Sequence, residues 1–178
     1  EYAIFPVVEY GTVVYYQGRL YSKGDPERGT KLFPSRTDIP YGSKYWVYNF
    51  DELNETKAST ALVVESILNV LSLKWKLREL GRTDVVPVCV FKHSISKEQT
   101  VKLSRMRNLK EVCLLWDRDA TGRAWDGARF LTSRFNVSVA EMPERPGERT
   151  LDANDDVEAA IEAFDNRKTY TPYNAVQH

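Results

Sequence analysis

The sequence predicts an α/β protein in which a parallel sheet flanked by helices follows a small β-rich subdomain. From residue 60 onward, apolar runs of strand length alternate with segments of helical periodicity, and strands that alternate with helices form parallel sheets. These runs are continuously apolar, which is typical of strands that are buried on both faces. The first sixty residues instead contain short apolar runs separated by turn residues, a pattern that favours antiparallel strands.

The β-rich part begins with a predicted hairpin. Residues 2–8 (YAIFPVV) and 12–17 (TVVYYQ) flank a turn at Glu9-Tyr10-Gly11. Residues 22–30 (SKGDPERGT) have the glycine, proline and polar composition of a loop. Residues 45–50 (YWVYNF) predict a further short strand.

Four strands and four helices are expected in the second part. The strands are predicted at 60–64 (TALVV), 85–91 (VVPVCVF), 111–116 (EVCLLW) and 136–142 (NVSVAEM). The helices are predicted at 66–80, from about Ser96, at 120–134, and from about Ala153 to Phe164. Residues 166–178 are polar with little periodicity and predict a loose tail. We therefore expect three parts, at 1–58, 59–165 and 166–178.

Composition limits the classes of protein to which the chain can belong. No apolar run approaches the roughly 18 residues of a membrane span, and a signal-peptide pattern is absent. Cys89 and Cys113 each lie inside an apolar run, as buried thiols do, and no C-x-x-C pair suggests structural zinc. A cytoplasmic protein without a membrane partner is expected. Because Glu1 is not an initiator methionine, we also expect the chain to be a piece of a longer protein.

Charge is unevenly distributed although the formal net charge is zero. Residues 74–110 are rich in lysine and arginine, whereas residues 141–165 are strongly acidic. A neutral chain is a poor candidate for indiscriminate nucleic-acid binding. The basic stretch has two interpretations that the sequence leaves open: solvated helix faces, or a surface for a phosphate backbone.

Asp117 and Asp119 follow directly on the predicted strand 111–116. Side chains two residues apart in extended backbone project to the same side, so both carboxylates can reach one ion or two neighbouring ions. Carboxylate oxygens suit Mg²⁺ or Mn²⁺, which often bring substrate phosphates with them. The alternatives are that Asp119 caps the helix after it and that Arg118 pairs with Asp117.

Glu65 ends the predicted strand 60–64 in the same way. Because the carboxyl ends of parallel strands meet at one edge of a sheet, we expect Glu65 close to the aspartate pair. The alternative is a first-turn acid that complements the dipole of the following helix. Asp152 and Asp155, in the stretch LDANDD (151–156), are either helix-start acids or further metal ligands.

Three basic residues of the β-rich part are candidates for phosphate contacts. Arg19 ends a predicted strand, and Lys31 and Arg36 follow it in the chain. A solvated charge is the alternative for each of them. His93 is the one histidine outside the tail, so the sequence gives little support for a histidine-based nucleophilic triad.

The ordered series of these motifs resembles the Toprim motifs of bacterial and phage DnaG-type primases. The matching stretches are VVESILNVLSL (63–73), VFKHSISKEQ (90–99), LLWDRDATGRA (114–124) and LDANDD (151–156). Residues 4–24 and 30–36 also resemble the small basic subdomain that precedes the Toprim domain in that family. The resemblance covers roughly residues 2–160.

The resemblance implies a Toprim sheet and the synthesis of RNA primers on single-stranded DNA during DNA replication. Metal-dependent nucleotidyl transfer would join ribonucleoside triphosphates, with a replicative helicase as partner through regions absent here. Glu65 matches the family's acid/base or metal-binding glutamate, and Asp117 and Asp119 match its metal-binding pair. Asp152 matches a further metal-site acid of the family. The residues expected to contact template or nucleotide are Arg19, Lys31, Arg36 and Lys92.

Four positions depart from the family pattern. Ser66 occupies the position of a usual glycine, and Asn69 the position of a usual acid. Residues 92–94 (KHS) replace the Gly-Thr segment, and Ala153 replaces the usual proline. These departures indicate a phage or otherwise remote member. Two alternatives are a Toprim nuclease that cleaves phosphodiesters, and a degenerate, non-catalytic module that binds nucleic acid. The β-rich subdomain argues against the nuclease, and Asn69 with the altered Gly-Thr segment favours the binding module.

Overall fold

Two β-sheets, one antiparallel and one mostly parallel, form the framework of the chain in a computed structural model. The structure describes residues 1–20, 31–32, 42–143 and 153–171, with the backbone alone at Lys31, Leu32 and Asp119. The predicted α/β class, with a helix-flanked parallel sheet after a small β-rich part, is confirmed.

The antiparallel sheet contains the predicted hairpin. Its strands β1 (Tyr2–Glu9), β2 (Thr12–Leu20) and β3 (Lys31–Leu32) lie in that order. Tyr10 and Gly11 have φ values of 54° and 72°, and a two-residue turn that matches the twist of its strands needs positive φ at both positions. The Asp51 carboxylate accepts hydrogen bonds from both backbone N–H groups, at 2.6 and 2.9 Å. The turn is therefore fixed to the segment that follows the sheet.

The predicted strand at residues 45–50 is wrong. This segment contains a short 3₁₀ helix (Ser43–Tyr45), a single β-bridge from Tyr48 to Cys89, and the start of helix α1 (Phe50–Glu55). Asn49 has a left-handed backbone (φ 65°), which turns the chain out of extended conformation. Phe50 is buried as the first residue of helix α1, so its apolar character does not require a strand.

The parallel sheet confirms the four predicted strands. In spatial order, its members are β5 (Val85–Cys89), β4 (Thr60–Val64), β6 (Glu111–Trp116), β7 (Asn136–Glu141) and β8 (Lys168–Thr169). The first four are parallel, and β8 is antiparallel to β7. The connecting helices are α2 (Ile67–Glu79), α3 (Lys97–Leu103), α4 (Thr121–Leu131) and α5 (Val157–Asp165).

Helix α5 begins four residues after the predicted start. Residues 153–155 form a turn, and the Asp156 carboxylate accepts the backbone N–H of Ala159 at 2.9 Å. Asp156 is thus the N-cap, because it satisfies a donor that has no partner within the helix.

Helices cover both faces of the parallel sheet. Ala61 and Val63 of β4 pack with α1, α3 and α4, whereas Leu62 and Val64 pack with α2 and α5. This arrangement explains why the strands are continuously apolar, since neither face meets water.

The segment after α5 differs from the predicted loose tail. Residues 168–169 form β8, and Arg167 donates two hydrogen bonds to the Glu111 carboxylate, at 2.6 and 3.0 Å. Residues 172–178 lie outside the described part. The sequence did not predict this strand because β8 is short and its two residues are polar and exposed.

Cys89 and Cys113 are both buried, as predicted. Burial raises the pKa of the Cys113 thiol to about 12. Within the described residues, no helix combines the length and hydropathy of a membrane span.

Candidate active-site cavity

The order of the strands creates a crevice at the carboxyl ends of β4 and β6. The chain passes from β4 through α2 to β5 on one side, and from β6 through α4 to β7 on the other. Loops that leave neighbouring strands in opposite directions open the crevice in which α/β proteins bind ligands. Glu65 and Asp117 directly follow these two strands.

Glu65 and Asp117 are in contact, as the sequence predicted. The Glu65 Oε1 atom accepts a hydrogen bond from the backbone N–H of Asp117 at 3.1 Å, across 52 residues of sequence. The Glu65 side chain is 12% exposed. Its carboxylate is therefore fixed by a backbone donor and remains open to the crevice on one side.

Glu65 is not a first-turn acid of α2, so the helix-dipole interpretation is wrong. The N-cap of α2 is Ser66, whose Oγ accepts the backbone N–H of Asn69 at 3.2 Å. Asn69 is 1% exposed and its Oδ1 accepts a hydrogen bond from Ser66 Oγ at 2.9 Å. The Asn69 amide therefore completes the cap of α2, at the position where an acid is usual in the primase family that the sequence resembles.

His93 contacts Glu65, which the sequence did not predict. Its Nδ1 lies 2.6 Å from Glu65 Oε1. The backbone after β5 turns at Phe91, which has a left-handed φ of 67°, a conformation rare for non-glycine residues. A signal was available, because His93 follows a strand whose carboxyl end lies at the same edge as Glu65.

A cavity of about 1240 Å³ opens from this edge. Glu65, His93 and Asp117 line it, together with Arg19 of β2 and the exposed Lys92. The antiparallel sheet and the parallel sheet therefore both contribute to one cavity. Arg19 has a buried Nε that finds no hydrogen-bond partner in the described part of the chain. A buried guanidinium N–H of this kind is costly to leave unpaired.

The structure describes the other predicted site residues only in part. Asp119 lies within a 3₁₀ helix (Arg118–Ala120), and the N-cap of α4 is Ala120, so the helix-cap interpretation of Asp119 is wrong. Lys31 is paired in register with Arg19 across β2 and β3. The Asp119 side chain, and Arg36 and Asp152 entirely, lie outside the described part.

The basic stretch 74–110 serves two different purposes. Most cations of α2 and its end are ion-paired: Lys74 and Arg78 with Glu52, Lys76 with Glu79 and Glu158, and Arg82 with Asp84 and Asp165. Hydrogen bonds from the Arg82 guanidinium hold the pKa of Asp84 below its usual value. Lys92 and Lys97 are exposed at the cavity instead, and within the described residues no carboxylate ion-pairs with either.

The cavity offers part of a metal-ligand set. Among the side chains that the structure describes, no three His, Cys, Asp or Glu residues form a group suited to hold a metal ion. Mg²⁺, however, is usually bound through one or two protein carboxylates, with water and substrate phosphates as the other ligands. The carboxylates of Glu65 and Asp117 at one edge of the sheet fit that requirement.

Comparison with known proteins places the fold. No protein-family model and no curated protein matches the chain. Solved structures do match: a DnaG catalytic core with a TM-score of 0.67 at 20% identity, and a DnaG primase catalytic domain bound to ssDNA with a TM-score of 0.65 at 21% identity. Each alignment covers 95% of this chain and 54% of the other. The chain has the DnaG catalytic-core fold.

The RNA polymerase domain of Mycobacterium tuberculosis primase DnaG is also similar, with a TM-score of 0.60 at 19% identity over 94% of this chain and 55% of that one. The chain thus spans about half the length of the DnaG structures that it matches. Because the alignments leave only about a twentieth of the chain unmatched, the DnaG-core similarity includes the antiparallel sheet as well as the parallel one.

Proposed function

We propose that this chain is the catalytic core of a DNA primase, which joins ribonucleotides into an RNA primer on a single-stranded DNA template. In this proposal residues 59–165 form a Toprim domain and residues 1–58 a basic subdomain that meets the substrate. The supporting observation is that the DnaG-core fold brings Arg19 of the first sheet into one cavity with Glu65 and Asp117 of the second.

Primer synthesis requires a 3′-hydroxyl to attack the α-phosphate of the next nucleotide while pyrophosphate leaves. When bound, Mg²⁺ or Mn²⁺ at Asp117, Asp119, Asp152 and Glu65 would neutralise charge on the reacting phosphates. The Asp117 N–H holds Glu65 Oε1 at 3.1 Å, so the carboxylate keeps one orientation toward the cavity. This preorganisation suits Glu65 to take a proton or to ligate metal without rearranging during the reaction.

The phosphates of the nucleotide or template need cations in the same cavity as the carboxylates. Arg19 supplies a guanidinium whose buried Nε has no protein partner in the described part, and phosphate oxygens are its natural acceptors. Lys92 adds an exposed ammonium at the same cavity. Lys31, which faces Arg19 in the sheet register, and Arg36 would extend this positive surface along the template.

A module that binds nucleic acid without catalysis is the second candidate. The buried Asn69 amide is used in the cap of α2, so it leaves the cavity with one acid fewer than the resembling family has. A Toprim nuclease is less well supported, because the match to DnaG cores includes the β-rich part before the parallel sheet.

One incubation separates the three possibilities. The chain is mixed with single-stranded DNA, labelled ribonucleoside triphosphates and Mn²⁺. Extended RNA supports the primase, shortened DNA supports the nuclease, and retained DNA without chemistry supports the binding module. In this proposal, a replicative helicase is a further partner, and the protein acts in the cytoplasm of a bacterial or phage-infected cell.

A further inference from the structure

The cavity extends away from Glu65 and Asp117 as a groove between α3 and α4. Helix α3 contributes Lys97, Thr100 and Val101, and α4 contributes a face that includes Arg123 and Phe130. Arg123, Gly127 and Phe130 are four and three residues apart, so they lie on one side of the helix. Both helices cover the same face of the sheet, and residues of both line this one cavity.

Phe130 is the most exposed large apolar side chain of the described residues, at 78%. The buried residues of α4, including Trp125 and Leu131, already anchor the helix to the sheet. Phe130 is therefore not needed in the core, and its ring stands on the wall of the groove. Burial of a phenylalanine ring is favourable, so a ligand that covers this ring would gain from the contact.

Cations line the same groove as the Phe130 ring. Lys97, Arg123 and Arg134 are exposed and line the groove, and no carboxylate in the described part of the chain forms an ion pair with any of them. Asp126 is the one acid that α4 contributes to the lining. The groove thus combines a free aromatic face with an excess of positive charge.

We infer that this groove binds single-stranded nucleic acid, with a base stacked on Phe130 and phosphates held by Lys97, Arg123 and Arg134. Grooves of this kind combine cations that follow the backbone with aromatic rings that accept any base. Arg123 and Phe130, seven residues apart, are separated by about 10 Å along the helix, several times the axial step of about 3.4 Å per nucleotide in a strand. The groove therefore suits a polymer, and it leads the strand to Glu65 and Asp117.

This inference rests on the proposed function for the direction of the strand, but its test does not require synthesis. Binding of fluorescein-labelled oligothymidylate to the 178-residue chain is followed by anisotropy, without nucleotides and with or without Mg²⁺. Phe130→Ala is expected to weaken binding about tenfold, the range found for loss of one stacked base. Phe130→Trp, which restores a ring, is expected to bind as the unchanged chain does.

Trp75→Ala is the matched control for the aromatic ring. Trp75 is 61% exposed, but it lies on α2, which covers the other face of the sheet. Its substitution is expected to leave the affinity unchanged. Equal losses in Phe130→Ala and Trp75→Ala would contradict the assignment of the groove.

The charge contribution of Arg134, which lies just beyond the end of α4, has its own control on that helix. Arg134→Ala is expected to reduce the slope of log K against log salt by about 0.7, the value for one phosphate contact with a single strand. Arg129 is exposed on α4 but does not line the cavity, and Arg129→Ala is expected to leave the slope unchanged.

Unchanged DNA affinity in both Phe130→Ala and Arg134→Ala would overturn the inference. Failure of the proposed function has a different signature. If the chain synthesises no RNA but Phe130→Ala still weakens DNA binding, the groove assignment holds and the primase assignment is wrong.

Discussion

Two residues that are far apart in sequence share one hydrogen bond at the centre of the candidate site. The Asp117 backbone N–H, rather than its side chain, holds Glu65. A substitution that changes only the Asp117 carboxylate therefore leaves this contact in place, and the chemistry of the carboxylate can be tested separately from the fold.

We expect Asp117→Asn to abolish metal-dependent primer synthesis while the thermal unfolding midpoint changes little. The amide has nearly the same shape but is a much poorer ligand for Mg²⁺ or Mn²⁺, which prefer charged oxygens. Glu162→Gln, on the exposed side of α5, is the isosteric control and is expected to retain full synthesis. Normal product yield from Asp117→Asn would remove Asp117 from the metal site.

Arg19 allows a second test at the same scale. Arg19→Ala is expected to weaken affinity for template or nucleotide by roughly 10- to 150-fold, since a charge-assisted hydrogen bond contributes about 1.5–3 kcal/mol. Stability is expected to change less, because the buried Nε has no protein partner in the described part. Affinity is measured by titration with labelled DNA and with a nonhydrolysable triphosphate. A variant that is destabilised but binds normally would assign Arg19 a structural role.

At the scale of elements, α3 is held beside the cavity by a buried glutamine. The Gln99 side chain accepts the Ser96 N–H at 2.9 Å, and Ser96 Oγ accepts the Gln99 N–H at 3.0 Å, which completes a capping box. Gln99 Nε2 also donates to the Trp46 carbonyl at 2.7 Å. One side chain therefore joins the helix start to the segment before α1.

We expect Gln99→Ala to lower the free energy of unfolding by about 1–3 kcal/mol, because it leaves buried donors and acceptors unpaired. Denaturant unfolding measures the loss. Glu98→Gln, at the neighbouring position, is expected to cost less, since it removes only a charge near the helix N-terminus. Equal stability of Gln99→Ala and the unchanged chain would show that water replaces the Gln99 amide.

At the scale of the whole molecule, the first sheet is tied to the second by buried polar contacts. The Glu9 side chain is 3% exposed and accepts the Val47 N–H at 3.2 Å, and its other oxygen contacts Lys102 of α3. Lys102 also lies over the Trp46 ring, 4.1 Å from its centroid. These contacts hold β1 beside α3, so the position of Arg19 in the cavity depends on the joint between the sheets.

Stability is expected to fall in acid. Burial alone would raise the pKa of Glu111, but hydrogen bonds from Arg167 and Ser138 outweigh it and hold the pKa below its usual value. The pKa of Asp84 is also lowered, through Arg82. A lowered folded-state pKa contributes stability that is complete above the ordinary carboxyl pKa of about 4 and is lost as the pH falls through the folded value.

Urea unfolding between pH 6 and pH 3 measures this effect. The midpoint is expected to decrease below about pH 4, and Glu111→Gln is expected to be less stable than the unchanged chain at neutral pH and to show a shallower decrease in acid. A pH-independent difference between the two chains would contradict a role for the Glu111 charge.

The sequence by itself determined the four parallel strands, the hairpin and the proximity of Glu65 to Asp117. Those features follow from local periodicity and from the rule that parallel strands end at one edge. Helix α1 was missed, because a left-handed Asn49 and the burial of Phe50 are set by packing against the sheet. Strand β8 was missed as well, because its pairing with β7 is a contact between distant residues.

Only the tertiary structure decided which residues join Glu65 in the cavity. His93 meets Glu65 because the chain turns at Phe91, and Asn69 is withdrawn from the cavity because it caps α2. The groove between α3 and α4 is likewise invisible in the sequence, where Lys97, Phe130 and Arg134 are widely spaced. Local patterns encode which residues are buried in each element, whereas the assembly of a site depends on how the elements pack against one another.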